Sequence, residues 1–288
     1  MNCVKKSFKE IERSSRNVLS EAGVEVSAFE IKMLLADVLG VEPAQIGYGE
    51  ILLNAEQIEK FETMLEARKK NKPVDKILGH KGFYKYDFCT SEDVLSPRAD
   101  TEILVEEALA LIAQNEYLNV LELGVGSGCV IVSLLADISE LQGVGVDVSA
   151  RALQVADENA RRLGVGERLI LKQASWNDAD FVQRIGKRFD LIVSNPPYIA
   201  TKEIEELDAE VKNYDPLLAL DGGDDGLHCY RQIAKVIPFL LKQGGYLLVE
   251  IGEGQAADVC GIFEKYGLQT NKIIKDLSGI ERCISLKK

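Results

Sequence analysis

Two hydrophobic rhythms divide this chain. Up to about residue 70, apolar side chains recur every three or four positions, the spacing of one face of an α-helix. Phe8, Ile11, Val18 and Leu19 predict a first helix from about Ser7 to Ala22. Ile31, Leu34, Leu35, Val38 and Leu39 mark a second, and Ile58, Phe61, Met64 and Leu65 a third. Ser27 with Glu30, and Asn54 with Gln57, form capping boxes ahead of these two, and Gly40 stops the second. Polar outer faces make the three a small bundle. Lys72-Pro73 breaks the pattern, and from Val74 to Leu95 aromatic and β-branched residues alternate with turn residues, predicting an extended hairpin linker. After Pro97 the rhythm becomes strand and helix in alternation. Strands are predicted at 117–123, 141–147, 168–174, 189–194, 245–251, 269–275 and 281–286, and helices at about 100–114, 128–138, 149–163, 227–242 and 254–266. Near-continuously apolar strands between helices imply a parallel sheet covered on both faces. The last two strands are too close for a helical crossover, so one of them is expected to be antiparallel. The fold class is α/β, a seven-stranded Rossmann-like domain, and the divisions expected are 1–72, 73–96 and 97–288.

Charge and cysteine usage narrow the function. A net charge of −12 over 288 residues argues against a phosphate-backbone binder, which needs clustered Lys and Arg. An acidic surface favours solubility and tolerates a basic protein partner. Six cysteines (Cys3, Cys89, Cys129, Cys229, Cys260, Cys283) show no CxxC spacing, which suggests neither a zinc site nor a disulfide framework. Free thiols in apolar stretches imply a reducing compartment. Met1-Asn-Cys-Val-Lys-Lys lacks the apolar core of a signal peptide, and no run reaches about 18 apolar residues, so a cytoplasmic protein with no membrane association is expected.

The chemistry concentrates where strands end. Phe189-Asp-Leu-Ile-Val-Ser194 runs into Asn195-Pro196-Pro197-Tyr198. Prolines donate no backbone hydrogen bond and force the preceding residue extended. The carbonyls of Asn195 and Pro196 therefore project outward beside the Asn195 side-chain oxygen and the Tyr198 ring. Such a set of acceptors suits a planar group bearing an NH2: holding both hydrogens returns the delocalised lone pair to nitrogen and aims it. Asn-Pro alone is a common turn signal; Asn-Pro-Pro-Tyr closing an apolar strand is far more specific. The first parallel strand runs into Gly124-Val125-Gly126-Ser127-Gly128, a glycine turn that lets a ligand approach the backbone. The spacing is GxGxG, with Cys129 where a dinucleotide fingerprint would want its third glycine. Asp147 ends the second strand, placed to accept both ribose hydroxyls of an adenosine; Ser149 is the better N-cap of the next helix. Trp176, the single tryptophan, follows the third strand, where it either walls an adenine ring or packs in the core. His80 and His228 lack partners at metal or triad spacing and read as surface or packing residues. Glu203 to Asp208 reads as a solvated helix face.

These residues carry a resemblance. The chain resembles the PrmC/HemK family of S-adenosyl-L-methionine-dependent methyltransferases, which methylate the glutamine of the Gly-Gly-Gln loop in peptide-chain release factors. The likeness spans Gly79, Phe83, Pro97-Arg98, Asp100-Thr101-Glu102, Glu122 to Gly128, Asp147, Trp176 and Ser194 to Ile199. It continues through Asp221-Gly222-Gly223, Asp225-Gly226-Leu227, Glu250-Ile251-Gly252 with Gln255, and Asp276 to Gly279 with Arg282. Ala99 replaces the family's usual proline, Tyr214-Asp215-Pro216 stands where a Glu-Pro is normal, and Val125 holds a position usually given to Thr. The resemblance implies a class I methyltransferase domain in which Gly124, Val125, Gly126, Ser127 and Gly128 pass under the methionine and ribose of the cofactor. Asp147 binds the ribose, Trp176 lines the adenine, and Asn195 sits beside the cofactor. It also implies that Asn195 and the Pro196 carbonyl take the two amide hydrogens of the substrate glutamine, with Pro197 and Tyr198 packing against it. The helical residues 1–72 are then expected to recognise the protein substrate, a release factor, with no metal and no direct nucleic-acid contact.

Three rivals remain in view. Amino-methylating DNA enzymes share an Asn/Asp-Pro-Pro-Tyr/Phe site, but the acidic charge and the absence of a basic target-recognition domain stand against a nucleobase substrate. A non-catalytic adenosine-binding adaptor would have no need of Asn195. A dehydrogenase is disfavoured by the missing third glycine.

Overall fold

The computed structural model describes residues 4–47 and 49–288. The chain forms two compact units, one made of the residues up to Gly79 with Asp208–Tyr214, the other of His80–Leu207 with Asp215–Lys288.

In the first unit, helices Phe8–Ser20, Ala28–Leu39, Ala55–Lys69 and Val74–Leu78 bury Leu19, Ile31, Leu34, Leu35, Phe61 and Leu65 against one another. Ser27–Glu30 and Asn54–Gln57 form both arms of their capping boxes, and Gly40 closes the second helix in the left-handed region. Ser7 and Glu10 make a third box. Val18 does not join the buried face as its spacing suggested: the contact runs Ile11, Ser15, Leu19, every fourth residue, leaving Val18 exposed. A short antiparallel pair, β1 (Val4–Ser7) with β2 (Glu50–Leu53), has no periodic signature in so few residues. Val74–Leu78, expected to be extended, is instead one helical turn, because Pro73 opens it and Gly79 ends it at φ 78°.

The second unit opens on a hairpin, β3 (His80–Phe83) with β4 (Tyr86–Cys89). Its sheet comprises β5 (Asn119–Leu123), β6 (Gln142–Asp147), β7 (Leu169–Gln173), β8 (Phe189–Ser194), β9 (Leu241–Glu250), β10 (Gln269–Lys275) and β11 (Glu281–Lys287), in the order β10-β11-β9-β8-β5-β6-β7. β5 to β9 run parallel, and β11 is antiparallel to both β9 and β10. Successive residues feed opposite faces. Val120, Leu191 and Val193 pack under helices Glu102–Asn115 and Cys129–Asp137, while Leu121, Ile192 and Val249 pack under His228–Leu240 and Ala256–Glu264. That double cover is why these strands read as unbroken apolar runs. Cys89, Cys129, Cys229, Cys260 and Cys283 are free thiols; Cys3 lies outside the described residues. Among the described residues no helix is long and apolar enough to cross a membrane.

One polar residue ties the hairpin to the glycine turn. Asn159, on helix Ala150–Arg162, is 1% exposed. Its side-chain oxygen accepts from the Cys89 N–H at 2.7 Å, and its NH2 donates to the Cys89 carbonyl at 3.2 Å and the Ser127 carbonyl at 2.9 Å. Asn159→Ala should cost about 1–3 kcal/mol by leaving those backbone groups unpaired. Thermal melting should show a drop of several degrees, and an unchanged midpoint would contradict the assignment.

Candidate active site

The strand order turns back between β5 and β8, because the chain fills β6 and β7 on one side before returning to the other. Open α/β sheets present a crevice at such a point, beyond the carboxyl ends of the strands. Here a cavity of about 340 Å³ lies against the ends of β5, β6, β7 and β8, a size typical of small-molecule sites.

Its floor is the glycine turn. Gly124, Gly126 and Gly128 have φ of 74°, 51° and 79°, a region that side chains disfavour. The Gly124 and Val125 N–H groups both donate to the Val146 carbonyl at 2.9 Å, stitching the turn to the end of β6. A side chain on Gly126 would project into open space, and one on Gly124 would meet the Trp176 ring at 3.7 Å. Gly128 serves packing instead: a Cβ there would come within 3.1 Å of Ala156 and 3.3 Å of Val132. Asp147 lines the cavity, accepting from the Gly126 N–H on Oδ2 and the Ser149 N–H on Oδ1, each at 2.9 Å. Ser149 caps the next helix, its hydroxyl oxygen accepting from the Ala152 N–H at 3.2 Å. Trp176 lines the cavity and also packs against the core.

At the end of β8, Asn195 and Pro197 line the same cavity, while Pro196 is buried. Among the described residues no backbone hydrogen bond ends on the Asn195 or Pro196 carbonyl. The Asn195 NH2 donates to the Thr101 hydroxyl at 3.1 Å, which leaves its side-chain oxygen as the free group. Tyr198 is not an open aromatic face. Its ring packs against the core, its hydroxyl donates to Glu250 Oε1 at 3.3 Å, and its carbonyl accepts from Gln255 Nε2 at 3.0 Å. Three glycines from distant segments make room for it. A Cβ on Gly222 would fall 2.8 Å from the Tyr198 Cα, one on Gly226 2.4 Å from its carbonyl oxygen, and one on Gly252 3.1 Å from its ring. Beyond it, Ile199 bridges Asp221, with Ile199 N–H donating to Leu220 and Gly222 N–H to Ile199.

Two carboxylates are buried at the strand ends. Burial raises Glu122 well above the usual carboxylate range, although the Ile131 N–H donates to it at 3.0 Å. Burial likewise lifts Glu250 to about 7, against the hydroxyls of Thr101 and Tyr198, which stabilise its charge. Burial and the neighbouring Glu250 charge push the Tyr198 phenol up as well.

Thr101 and Glu250 stand among the residues of the resemblance but were expected in no site role, and Asn159 carries no signal, since nothing local betrays what they touch. Pro97, Arg98 and Pro216, also named in the resemblance without a role, form with Leu218 a wall assembled from two separated loops. Arg98 is paired there with the buried Asp215 at 2.7 Å. His228, expected at the surface or in packing, lines the cavity rim, because Gly223 turns the chain so closely against it. His80 pairs with Asp87 in the hairpin at 2.8 Å. No group of three or more His, Cys, Asp or Glu among the described residues has the geometry to hold a metal.

A glycine turn, an acidic second strand end and an acceptor-rich fourth strand end around one crevice define a nucleoside-cofactor enzyme of the methyltransferase class. The Methyltransferase small domain family matches residues 86–211, and the PrmC N-terminal domain family matches 10–79. A release factor glutamine methyltransferase of Rhodospirillum rubrum is 42% identical over 92% of this chain and 80% of its own length. Those of Caulobacter vibrioides (38% identical, 94% of this chain, 93% of that one) and Geobacter sulfurreducens (40%, 94% and 93%) are similar. The chain belongs to the release factor glutamine methyltransferase family.

The glycine mould around Tyr198 is directly testable. Gly226→Ala places a methyl 2.4 Å from the Tyr198 carbonyl and 2.8 Å from Gln255 Nε2, at φ 73°. The loop must move, so the variant should lose most transfer activity while its melting temperature falls by only a few degrees. Activity within threefold of wild type would show that the mould is not required.

Proposed function

We propose that this protein transfers a methyl group from S-adenosyl-L-methionine to the side-chain amide nitrogen of the Gly-Gly-Gln glutamine in peptide-chain release factors. The observation that carries the reading is the meeting of two half-sites on one cavity: Gly124 to Ser127 with Asp147 on one side, and Asn195, its side-chain oxygen free, on the other. Family membership, with relatives named for this activity, favours an amide over a nucleobase and an enzyme over an adaptor.

The residues suit the cofactor. Gly126 leaves its ligand-facing side open. Asp147 uses one lone pair of each oxygen on Gly126 and Ser149, and a carboxylate retains others for two ribose hydroxyls. Trp176 offers a ring face beside the turn. S-adenosyl-L-methionine brings a methyl already activated by its sulfonium, so no metal or acid is called for. The rest falls to positioning. The Asn195 oxygen and the Pro196 carbonyl accept the two hydrogens of the substrate amide, which draws its lone pair onto nitrogen and aims it at the methyl. As the nitrogen–carbon bond forms the sulfur–carbon bond would break, the neutral thioether would leave, and one amide proton would pass to solvent. Orientation of this kind is worth several kcal/mol of barrier. Tyr198, locked by Glu250 and Gln255, holds the loop that presents both acceptors. A lone glutamine side chain offers little area to offset its lost freedom, and the helical bundle supplies the remaining protein–protein contacts.

Methyl transfer from labelled cofactor to release factor, with DNA as the alternative acceptor and the labelled residue mapped, tests the whole reading; label on DNA, or on neither, would overturn it. Asn195→Ala should fold and bind cofactor yet lose roughly 10²–10³ in kcat, the usual loss for one preorganised contact. A variant keeping more than a third of wild-type turnover would remove Asn195 from this role. Asp147→Ala should weaken cofactor binding by about 1.5–3 kcal/mol, the worth of hydrogen bonds to a charged group. Calorimetry giving an unchanged Kd would move the ribose site elsewhere.

A further inference from the structure

The strand order leaves the two flanks of Asn195 unequal. The cavity lies against the ends of β5 to β8, and among the described residues none from β9, β10, β11 or the turn between the last two lines it. β11 runs antiparallel to β9, and the Ile251 N–H donates to the Arg282 carbonyl at 2.9 Å. The β10–β11 turn, residues 276–280, therefore stands at the same carboxyl edge as Asn195, across β9 from it.

This turn is ordered by its own residues. Asp276 Oδ1 accepts from the Ser278 N–H at 2.8 Å and the Ile280 N–H at 2.9 Å. The Gly279 N–H donates to the Asp276 carbonyl at 3.0 Å, with Gly279 at φ 85°. Asp276 Oδ2 accepts from Arg282 Nε at 3.1 Å. The same nitrogen lies 3.3 Å from Asp100 Oδ2, next in sequence to Thr101, whose hydroxyl accepts from the Asn195 NH2. What the turn displays is Leu277, fully exposed. Single apolar side chains on helix and strand faces, such as Phe239 and Ile170, are ordinary. Tight turns instead favour Gly, Pro, Asn, Asp and Ser, and a leucine wholly in solvent adds no packing to its own chain.

We propose that the β10–β11 turn is a docking point for the protein substrate, with Leu277 entering an apolar recess of the release factor beside its Gly-Gly-Gln loop. The proposal rests on the function read above. With the cofactor held over β5 to β7, the protein that carries the glutamine reaches Asn195 over the β9–β11 side, and the turn lies in that path. One glutamine side chain buries too little area to hold a protein. An apolar side chain on a turn ordered before binding adds burial without a further ordering cost. The Asp276–Arg282–Asp100 link ties the turn to the segment that holds Asn195, so docking at Leu277 and placement of the amide share one frame.

The test uses the intact chain. Leu277→Asp should keep its melting temperature within a few degrees of wild type, and its kcat and its affinity for S-adenosyl-L-methionine within about threefold. Its KM for intact release factor should rise about tenfold or more, the mark of binding lost equally in the ground and transition states. The calorimetric Kd for release factor, taken with S-adenosyl-L-homocysteine bound so that nothing turns over, should rise in parallel. Leu277→Met should return both to within about threefold of wild type. Ile170→Asp, the same change of charge on β7 at the far edge of the sheet, should leave both unchanged. Unchanged KM and Kd in Leu277→Asp, an equal rise in Ile170→Asp, or a loss confined to kcat would overturn the proposal. If the wild type labels no release factor, the functional reading fails. The titration then decides the docking alone, and absence of binding ends it.

Discussion

Strand β8 ends in two residues that have no hydrogen to give, and the loop they begin must be shaped by groups from elsewhere in the chain. A strand normally orients the residues after it through its ladder; Pro196 and Pro197 end that control at Asn195. Shape is restored from three directions. Gly222, Gly226 and Gly252 leave the space that the Tyr198 backbone and ring occupy. Gln255 grips the Tyr198 carbonyl while its own oxygen accepts from the Gly252 N–H at 2.9 Å. The 220–223 segment pairs with Ile199 and Thr201. Freed from the ladder, the loop is held by contacts on every side.

The electrostatic side of the same design is costly. Glu122 and Glu250 are both buried at strand ends, where a charge is disfavoured unless donors reach it. Each has fewer donors than its oxygens can accept, and both are pushed toward the neutral form. A region tuned only for stability would place apolar residues there. Strain of this kind gathers where a site needs polar groups held in one geometry.

The cofactor half is more conventional. The glycine turn is fixed by Val146 beneath, Asp147 beside and Asn159 behind. Asp147 shapes the turn through Gly126 while lining the cavity, so any change there will be felt through the backbone.

The sequence by itself determined most of the elements and the family, and it put the candidate site residues at strand ends. Period and capping located the three long N-terminal helices, because helix starts are set by residues three apart. Unbroken apolar runs located the central strands β5, β8 and β9, because a sheet covered on both faces has no polar side there. Gly124 to Gly128, Asp147, Trp176 and Asn195 were legible because each stands at a strand end, and topology puts those ends together. Two local readings failed: packing gave Ser15 the place expected for Val18, and Val74–Leu78 coiled between the flanking Pro73 and Gly79. Only the tertiary structure decided that Tyr198 faces inward onto Glu250, that His228 lines the cavity, and that Thr101 pairs with Asn195. Those placements depend on contacts between segments far apart in the chain, such as Thr101 with Asn195 and Tyr198 with Glu250, and a buried polar partnership leaves no periodic mark on either segment that makes it.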